Sequence, residues 1–337
     1  MDANKRNDEY ISLLTNSGFF NQADAELFCD KFEEATILTT NEKGYCTLIK
    51  AKRFGKWHII KRLKKEYCSN SFFTNLLEKE FEIGYKLDHP NIAKTIAKEY
   101  DDNGMYIISE FIDGITLREY IELNKTITTR LKRKFIIEIV NALKYIHSKQ
   151  IIHRDLKPEN ILITHNGDNV KLIDFGLSDA DNYHIFKEAA GTKNYAAPEI
   201  LNNEDNITFK ADLYSLGKII LDLWSVSEET INKIERPYRI IAKKCLEKNP
   251  EIRYANYDTV INDLAFSYKT KTILYFLAFL AILTVLFLTT KNRGIKNHDN
   301  TTTKSKGLSS SITNDIPTPS KKDSSAIPKP SLVVVAH

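Results

Sequence analysis

The longest apolar stretch is TILYFLAFLAILTVLFLTT, which runs from Thr272 to Thr290 without a charged residue. As a helix it would be roughly 28 Å long at about 1.5 Å per residue, which matches one bilayer hydrocarbon core. A buried core helix is the alternative, but lysine and arginine residues flank the run on both sides, as they do around membrane spans. The pattern therefore predicts one transmembrane helix over 272–290.

The two ends of the chain differ in character. Residues 291–337 are rich in Ser, Thr, Lys and Pro, and their few apolar residues cannot offset the entropy cost of ordering, so we expect a disordered tail. Residues 1–36 favour a helical extension of two short helices. In the second, AELFCDKFEEA, four apolar residues share one face at helical spacing and are expected to pack on a neighbouring domain: Leu27, Phe28, Phe32 and Ala35.

Composition restricts the possible partners. Of 337 residues, 42% are hydrophobic and 27% are charged, which is typical of a folded protein. The 48 basic and 44 acidic residues leave a net charge of +4, so charge gives no indication of a nucleic-acid partner. The cysteines are far apart and form no CxxC pair, so they predict neither a zinc site nor disulfides, and a reducing compartment fits best.

The middle of the chain carries the chemistry. IIHRDLKPENILI is bounded by β-prone runs, and KLIDFG places Asp174 at the end of another short strand, so that Asp155 and Asp174 face a shared site. Alone, Asp155 would be an ordinary solvated or capping carboxylate. The order HRD, Lys, Asn, DFG, GT and APE together resembles the eukaryotic-type protein kinase family, and specifically its serine/threonine branch, over roughly residues 37–266.

The resemblance implies an α+β fold with two lobes over residues 37–266: a small β-rich N-terminal lobe with one helix and a larger helical C-terminal lobe. It implies ATP and Mg²⁺ as cofactors. Asp155 would accept or orient the proton of the attacking hydroxyl, and Asn160 and Asp174 would hold magnesium. Lys157 would neutralise the γ-phosphate, and a lysine at this position is typical of the serine/threonine branch.

In the N-terminal lobe, the resemblance assigns the nucleotide contacts. WHIIKRL looks like the VAIK strand, so Lys61 would pair with the α- and β-phosphates and with Glu80 of the following helix. Glu110 and Ile112 in MYIISEFIDG would present backbone groups to adenine. Leu48 opens the segment LIKA, which aligns with the end of the glycine-rich loop, and is expected to line the nucleotide site.

Two positions depart from the family pattern. The positions of the three family glycines in the phosphate loop are occupied by Asn41, Lys43 and Cys46. Each of these residues has a Cβ, whereas glycine has none and lets the backbone approach phosphate closely. Lys43 could instead add a phosphate-facing charge. Gly84 stands four positions after Glu80, where the family has an apolar residue. We therefore expect the space of that apolar side chain to be empty and the helix to shift easily, with the N-terminal helices bracing it.

Further contacts follow from the resemblance in the C-terminal lobe. Asp212 would brace the HRD backbone, and Arg253 would pair with Glu199. Glu188 stands where many kinases carry an activating phosphothreonine that pairs with Arg154, and it is either a built-in substitute for that charge or an ordinary exposed glutamate.

Two functions stay open at this point. The first is an active, single-pass membrane serine/threonine kinase, with its domain in the cytoplasm because it needs ATP, its tail on the opposite side and its protein substrates close to the membrane. The charge rule favours the reverse orientation, since basic residues are more numerous after the span. The second is a pseudokinase that acts as a membrane scaffold. The span contains no GxxxG pattern, so the oligomeric state is unknown.

Overall fold

The computed structural model describes most of the first 265 residues and one short helix beyond them. The described ranges are 3–17, 20–38, 44–102, 104–124, 126–176, 192–202, 204, 206–265 and 276–286. Residues up to Ile273 form one compact unit, and the helix at 276–286 belongs to a second. Within these ranges no helix is long and apolar enough to cross a membrane. The predicted span is described only over 276–286, and the predicted tail lies outside the described residues.

The N-terminal lobe is built on a sheet of antiparallel neighbours in the order β1-β2-β3-β5-β4. Its strands are β1 (Glu34–Ile37), β2 (Cys46–Arg53), β3 (Lys56–Leu63), β4 (Thr95–Asp101) and β5 (Gly104–Glu110). Phe54 and Gly55 join β2 to β3 with positive φ values of 52° and 72°, as a two-residue hairpin turn requires. The sheet begins at Glu34, slightly upstream of the predicted domain start at residue 37.

The N-terminal helices α1 (Ala3–Asn16) and α2 (Gln22–Lys31) cover one face of this sheet. Leu14, Phe28 and Phe32 are buried there against alternate strand residues, among them Ile49 and Ile60. Because successive strand side chains point to opposite faces, this is the face turned away from Lys61. The helices therefore brace the back of the sheet, and the expectation that they brace the helix after β3 is replaced by this arrangement.

The boundary of α2 corrects the predicted helical face. The helix ends at Lys31, and Ala35 lies in β1, opposite Ala51, instead of on the helix. Phe32 and Ala35 are nevertheless buried in the same cluster as Phe28, because the chain turns directly from helix into edge strand. The side chain of Leu27 lies outside the described residues.

Helix α3 (Ser71–Tyr85) packs on the other face of the sheet, with Leu77 buried against Leu63 and Ile107. The Asn70 side chain caps it by accepting a hydrogen bond from the amide of Phe72. The expected empty slot at Gly84 is wrong. A Cβ at that position would lie 2.4 Å from Oγ1 of Thr95, so the first residue of β4 already fills the space and glycine permits the close approach.

The C-terminal lobe is mainly helical, which confirms the expected two-lobed α+β architecture. A small sheet in the order β6-β7-β8 lies next to the helices, with strands β6 (Gly114–Thr116), β7 (Ile161–Thr164) and β8 (Val170–Leu172). The helices are α4 (Leu117–Leu123), α5 (Thr129–Ser148), α6 (Pro198–Leu201), α7 (Lys210–Leu223), α8 (Tyr238–Cys245) and α9 (257–265). Fully buried side chains of α5 and α7 form the centre of its core.

Replacing Gly84 with alanine should destabilise the chain. Alanine favours a helix by about 1 kcal/mol over glycine, but its methyl group would overlap Thr95, and overpacking costs roughly 1–3 kcal/mol. We expect Gly84→Ala to lower the free energy of unfolding by ~1 kcal/mol in urea titrations. Thr95→Ala removes the clashing Oγ1, so adding Gly84→Ala in that background should cost nothing. A Gly84→Ala protein more stable than wild type would contradict the packing argument.

Candidate active site

Three charged side chains meet between the sheet and α3. The Nζ of Lys61 donates hydrogen bonds to both carboxylate oxygens of Glu80 at 2.7 Å and to Oδ1 of Asp174 at 3.1 Å. Leu48 lies opposite Lys61 in the β2–β3 register, so it borders the same cleft. The neighbouring acid Glu78 instead pairs with Lys98 at 2.6 Å. The structure thus brings together the lysine and the two acids that the motif spacing selected.

The pKa values of these groups follow from burial and mutual attraction. Burial favours the neutral amine of Lys61, but the charges of Asp174 and Glu80 outweigh it and raise its pKa well above the usual value. Burial raises the pKa of Glu80 to about 7, although Lys61 acts to lower it. Burial also acts to raise the pKa of Asp174, but attraction and hydrogen bonding from Lys61 prevail and lower it to about 2. Asp174 is therefore fully ionised at neutral pH, whereas Glu80 titrates there.

The catalytic loop holds the second group of predicted residues. Oδ2 of Asp155 accepts hydrogen bonds from Nζ of Lys157 at 2.7 Å and from Nδ2 of Asn160 at 2.9 Å. The Asn160 amide also donates to the main-chain carbonyl of Asp155 at 2.9 Å. Burial raises the pKa of Asp155, against the lowering effect of Lys157. The carboxylate is thus fixed through Oδ2, and these contacts do not use Oδ1.

A buried carboxylate on α7 fixes the backbone of the catalytic loop by hydrogen bonds. Asp212 accepts hydrogen bonds from the backbone amides of His153 at 2.8 Å and Arg154 at 2.9 Å, and its Oδ2 lies 2.7 Å from Nε2 of His147. Arg154 and Asp174 both adopt left-handed backbone conformations, with φ of 63° and 64°. Such strain persists only where the surroundings over-determine the backbone, and it is concentrated at functional sites.

A second buried ion pair closes the C-terminal lobe. Arg253 donates from both terminal nitrogens to Glu199, at 2.6 and 2.8 Å, and both side chains are almost fully buried. This is the geometry that makes arginine–carboxylate pairs strong. The predicted replacement of phosphothreonine by Glu188 lies outside the described residues.

The hinge between the lobes is tied down by Glu110. Its backbone amide donates to the carbonyl of Lys94 at 2.9 Å, and its carboxylate accepts from the amide of Lys94 and from Nζ of Lys171, each at 2.9 Å. The side chain therefore anchors the end of β5 to β8 in the C-terminal lobe. Backbone contacts of Glu110 and Ile112 with adenine stay a prediction. Lys43, the predicted phosphate-facing charge, lies outside the described residues.

Tyr45 is a cleft residue that the motif analysis missed. A Cβ placed on Gly176 would lie 3.2–3.3 Å from three atoms: Oδ1 of Asp174, Oε2 of Glu80 and the hydroxyl of Tyr45. The tyrosine ring also packs against Phe73 of α3, with ring centroids 5.3 Å apart. The segment that replaces the glycine loop therefore brings an aromatic side chain against the charged cluster. The signal in the sequence is its position directly before Cys46, the last of the three positions where the family has loop glycines.

The residues present fit a magnesium-bound nucleotide. Both amide hydrogen bonds of Asn160 come from Nδ2, so the side-chain oxygen is the atom that can face a cation. Together with the ionised Asp174 it offers the small set of oxygen ligands that Mg²⁺ takes when phosphates complete its shell. The part of the chain that the structure describes holds no cluster of three or more His, Cys, Asp or Glu side chains suited to a metal.

This two-lobed fold and its cleft have the arrangement of a protein kinase domain. Residues 32–236 match the family model of the protein kinase domain, which covers more than half of the chain. The chain belongs to the protein kinase family, whose standard cofactors are ATP and Mg²⁺.

The chain is also similar to several named kinases. It is 34% identical over 167 residues to serine/threonine-protein kinase PrkC of Bacillus subtilis, covering 49% of the chain and 26% of PrkC. Aurora kinase of Schizosaccharomyces pombe is 33% identical over 192 residues, which is 57% of the chain and 54% of that kinase. Probable serine/threonine-protein kinase MARK-C of Dictyostelium discoideum is 39% identical over 146 residues, 42% of the chain and 19% of that protein. The chain matches only part of each relative's length.

Nucleotide binding should depend on pH through Glu80. With a pKa of about 7, Glu80 is largely protonated at pH 6 and largely ionised at pH 8, when it can hold Lys61 in place for phosphates. We expect the Mg-ATP affinity of the Asp155→Asn protein to rise several-fold over this range. Stability should change in the opposite sense, because a raised folded-state pKa stabilises the protonated form and that contribution is lost as pH rises through 7.

The control is Glu80→Gln in the same Asp155→Asn background, measured by titration calorimetry. The nucleotide's own ionisation is common to both proteins, so any difference in slope belongs to Glu80. Equal slopes for the two proteins would exclude Glu80 as the titrating group.

Proposed function

We propose that this chain is a membrane-anchored serine/threonine protein kinase, which transfers the γ-phosphate of ATP to serine and threonine hydroxyls of protein substrates. The observation that carries the proposal is the joint assembly of two groups. Lys61 contacts both Glu80 and Asp174, and Asp155 is held by Lys157 and Asn160. The kinase names of the relatives support the same reaction.

In the proposed reaction, each side chain has a role that its contacts support. Asp155, fixed through Oδ2, accepts or orients the proton of the substrate hydroxyl through its other oxygen. Lys157, 2.7 Å from that carboxylate, brings positive charge to where the phosphoryl group passes. Lys61 holds the non-transferred phosphates, and Glu80 keeps its ammonium group in place. When bound, Mg²⁺ would be held by Asn160 and Asp174 and would neutralise phosphate charge.

A pseudokinase that serves as a membrane scaffold is the second candidate. Two observations favour it: the phosphate loop lacks its glycines, and Tyr45 lies against the cluster of Lys61, Glu80 and Asp174. Nucleotide binding does not separate the two functions, because a scaffold can also bind ATP. Turnover separates them.

Membrane anchoring rests on the apolar run at 272–290. Its described part, 276–286, is helical, and the large apolar side chains there are exposed, including Phe276 at 59% and Ile282 at 59%. A helix that exposes such side chains on every side suits lipid better than water.

A kinase needs cytosolic ATP, so we assign the domain to the cytoplasm and residues 291–337 to the opposite side. Anchoring raises the local concentration of membrane-proximal substrates.

Phosphate transfer by the purified full-length chain tests the reaction. We expect incorporation from labelled Mg-ATP into the chain itself or into serine- and threonine-containing peptides. Asp155→Asn should reduce it by a factor of roughly 10²–10⁴, since it removes the proton acceptor, and Asp174→Asn should reduce it by weakening the hold on the cation. Asp258→Asn is the matched control, because it changes an exposed carboxylate that pairs with Lys144 at the surface. Wild-type protein that folds and binds nucleotide but transfers nothing would favour the scaffold.

Alkaline carbonate extraction of membranes tests the anchor. The wild-type chain should stay in the pellet, whereas Leu280→Arg with Leu283→Arg should move it to the supernatant, since each central arginine costs about 2.5–3.5 kcal/mol of insertion. Leu280→Ala with Leu283→Ala is the control and should remain in the pellet.

Protease added outside intact cells tests the orientation. It should trim the tail and spare the domain. Digestion of the domain instead of the tail would show that the orientation is the reverse of the proposed one.

A further inference from the structure

A four-residue network lies at the surface of the C-terminal lobe. Arg118 donates from Nε to Oε1 of Glu159 at 3.0 Å and from Nη2 to the hydroxyl of Tyr195. Tyr195 in turn donates to Oδ2 of Asp222, which lies 3.6 Å from Nη2 of Arg118. One guanidinium therefore serves two carboxylates, one directly and one through a phenol.

The network borders the place where a substrate must lie. Glu159 follows Lys157 in the catalytic loop and directly precedes Asn160, so it sits beside the residues that handle the acceptor hydroxyl. Tyr195 belongs to the turn before α6, and its carbonyl is held by the hydroxyl of Ser215 on α7 at 2.9 Å. A peptide that presents a hydroxyl to Asp155 passes over one or both of these segments.

The scaffold fixes Arg118 in this position. It lies in the first turn of α4, which is closed by a capping box: Thr116 accepts from the amide of Glu119, and Glu119 accepts from the amide of Thr116. The guanidinium group of Arg118 carries several donors in a fixed geometry, which matches carboxylate and hydroxyl partners better than a lysine ammonium group could. The side chain of Arg118 is 30% exposed, Glu159 46% and Asp222 28%, so the network is open to solvent and to an incoming peptide.

Without Arg118, this surface would present two carboxylates close together, Glu159 and Asp222. Such a pair attracts an arginine or lysine side chain of a substrate, and electrostatic complementarity of this kind determines which partners are accepted. With Arg118 in place, the strongest acceptors are already engaged by a cation of the same chain. A basic substrate side chain would have to displace it or approach its positive charge.

We propose that Arg118 is a specificity-determining residue that occupies an acidic subsite from within the chain, so that this kinase gains no preference for serine and threonine segments with an adjacent arginine or lysine. The inference rests on the proposed kinase function. It concerns which substrates are taken, and it leaves the transfer step to the residues already described.

The test compares peptides that share one serine in a neutral background and differ only in an arginine or alanine at each position from four before to four after it. The full-length chain should show similar kcat/KM values for the arginine and alanine forms at every position. Arg118→Ala should prefer arginine about tenfold at one or two positions, which corresponds to ~1.4 kcal/mol. Because the readout is a ratio within one protein, a general loss of stability or activity does not change it.

Three variants control the interpretation. Arg118→Lys keeps the positive charge without the guanidinium fork and should give a ratio between those of wild type and Arg118→Ala. Adding Glu159→Gln and Asp222→Asn to Arg118→Ala should abolish the acquired preference. Arg239→Ala removes a half-buried arginine on α8, whose side chain donates to the Asn232 carbonyl, and should change nothing. A strong arginine preference in wild type, or no change in ratio on Arg118→Ala, would overturn the proposal.

Binding provides a readout that needs no turnover. If the wild-type chain transfers no phosphate to any peptide, the kinase function fails, but fluorescence anisotropy with the same labelled peptides still gives a ratio of dissociation constants. Arginine-dependent binding that arises only in Arg118→Ala would then support the occupied subsite, and equal binding by both proteins would reject it.

Discussion

The ammonium group of Lys61 connects three parts of the structure whose relative placement determines the site. Lys61 lies on β3 of the N-terminal sheet and contacts Glu80 on α3. It also contacts Asp174, which follows the end of β8 by two residues. The ammonium group of Lys61 and the carboxylate of Glu80 are both largely buried, so either one left without its partner would carry a large desolvation cost. Movement of α3 or of the Asp174 segment therefore breaks an interaction that the other two parts need.

The remaining supports of the cleft keep these charges in register. Asp212 fixes the backbone of the catalytic loop from within the C-terminal lobe, and Glu110 ties the hinge to β8. Thr95 fits against Gly84, so the last turn of α3 lies directly on the first residue of β4. The N-terminal helices act further away, by covering the opposite face of the sheet with buried aromatic side chains. Each contact limits a different motion of the same charged cluster.

Motif spacing selected residues that the structure brings into contact, because the chemistry of the motif dictates the residue type. Lys61 contacts Glu80 and Asp174, and Asp155 contacts Asn160, whereas their catalytic roles stay predictions. Packing was less predictable. Gly84 suggested an empty slot because the sequence does not reveal that Thr95 approaches it. Ala35 continued a helical pattern but lies in a strand, because pairing with β2 overrides local periodicity.

The same limit explains why motif spacing does not reveal Tyr45 and Arg118, although both border the proposed site. Neither belongs to a motif, and each acquires its role from residues far along the chain: Gly176 for Tyr45, Glu159 and Tyr195 for Arg118. They also act on different components. Tyr45 lies against the cluster that would hold phosphate, whereas Arg118 lies where a protein substrate would pass. Because the contacts of the two residues do not overlap, a change at Tyr45 should affect the proposed nucleotide site without altering the proposed substrate surface at Arg118.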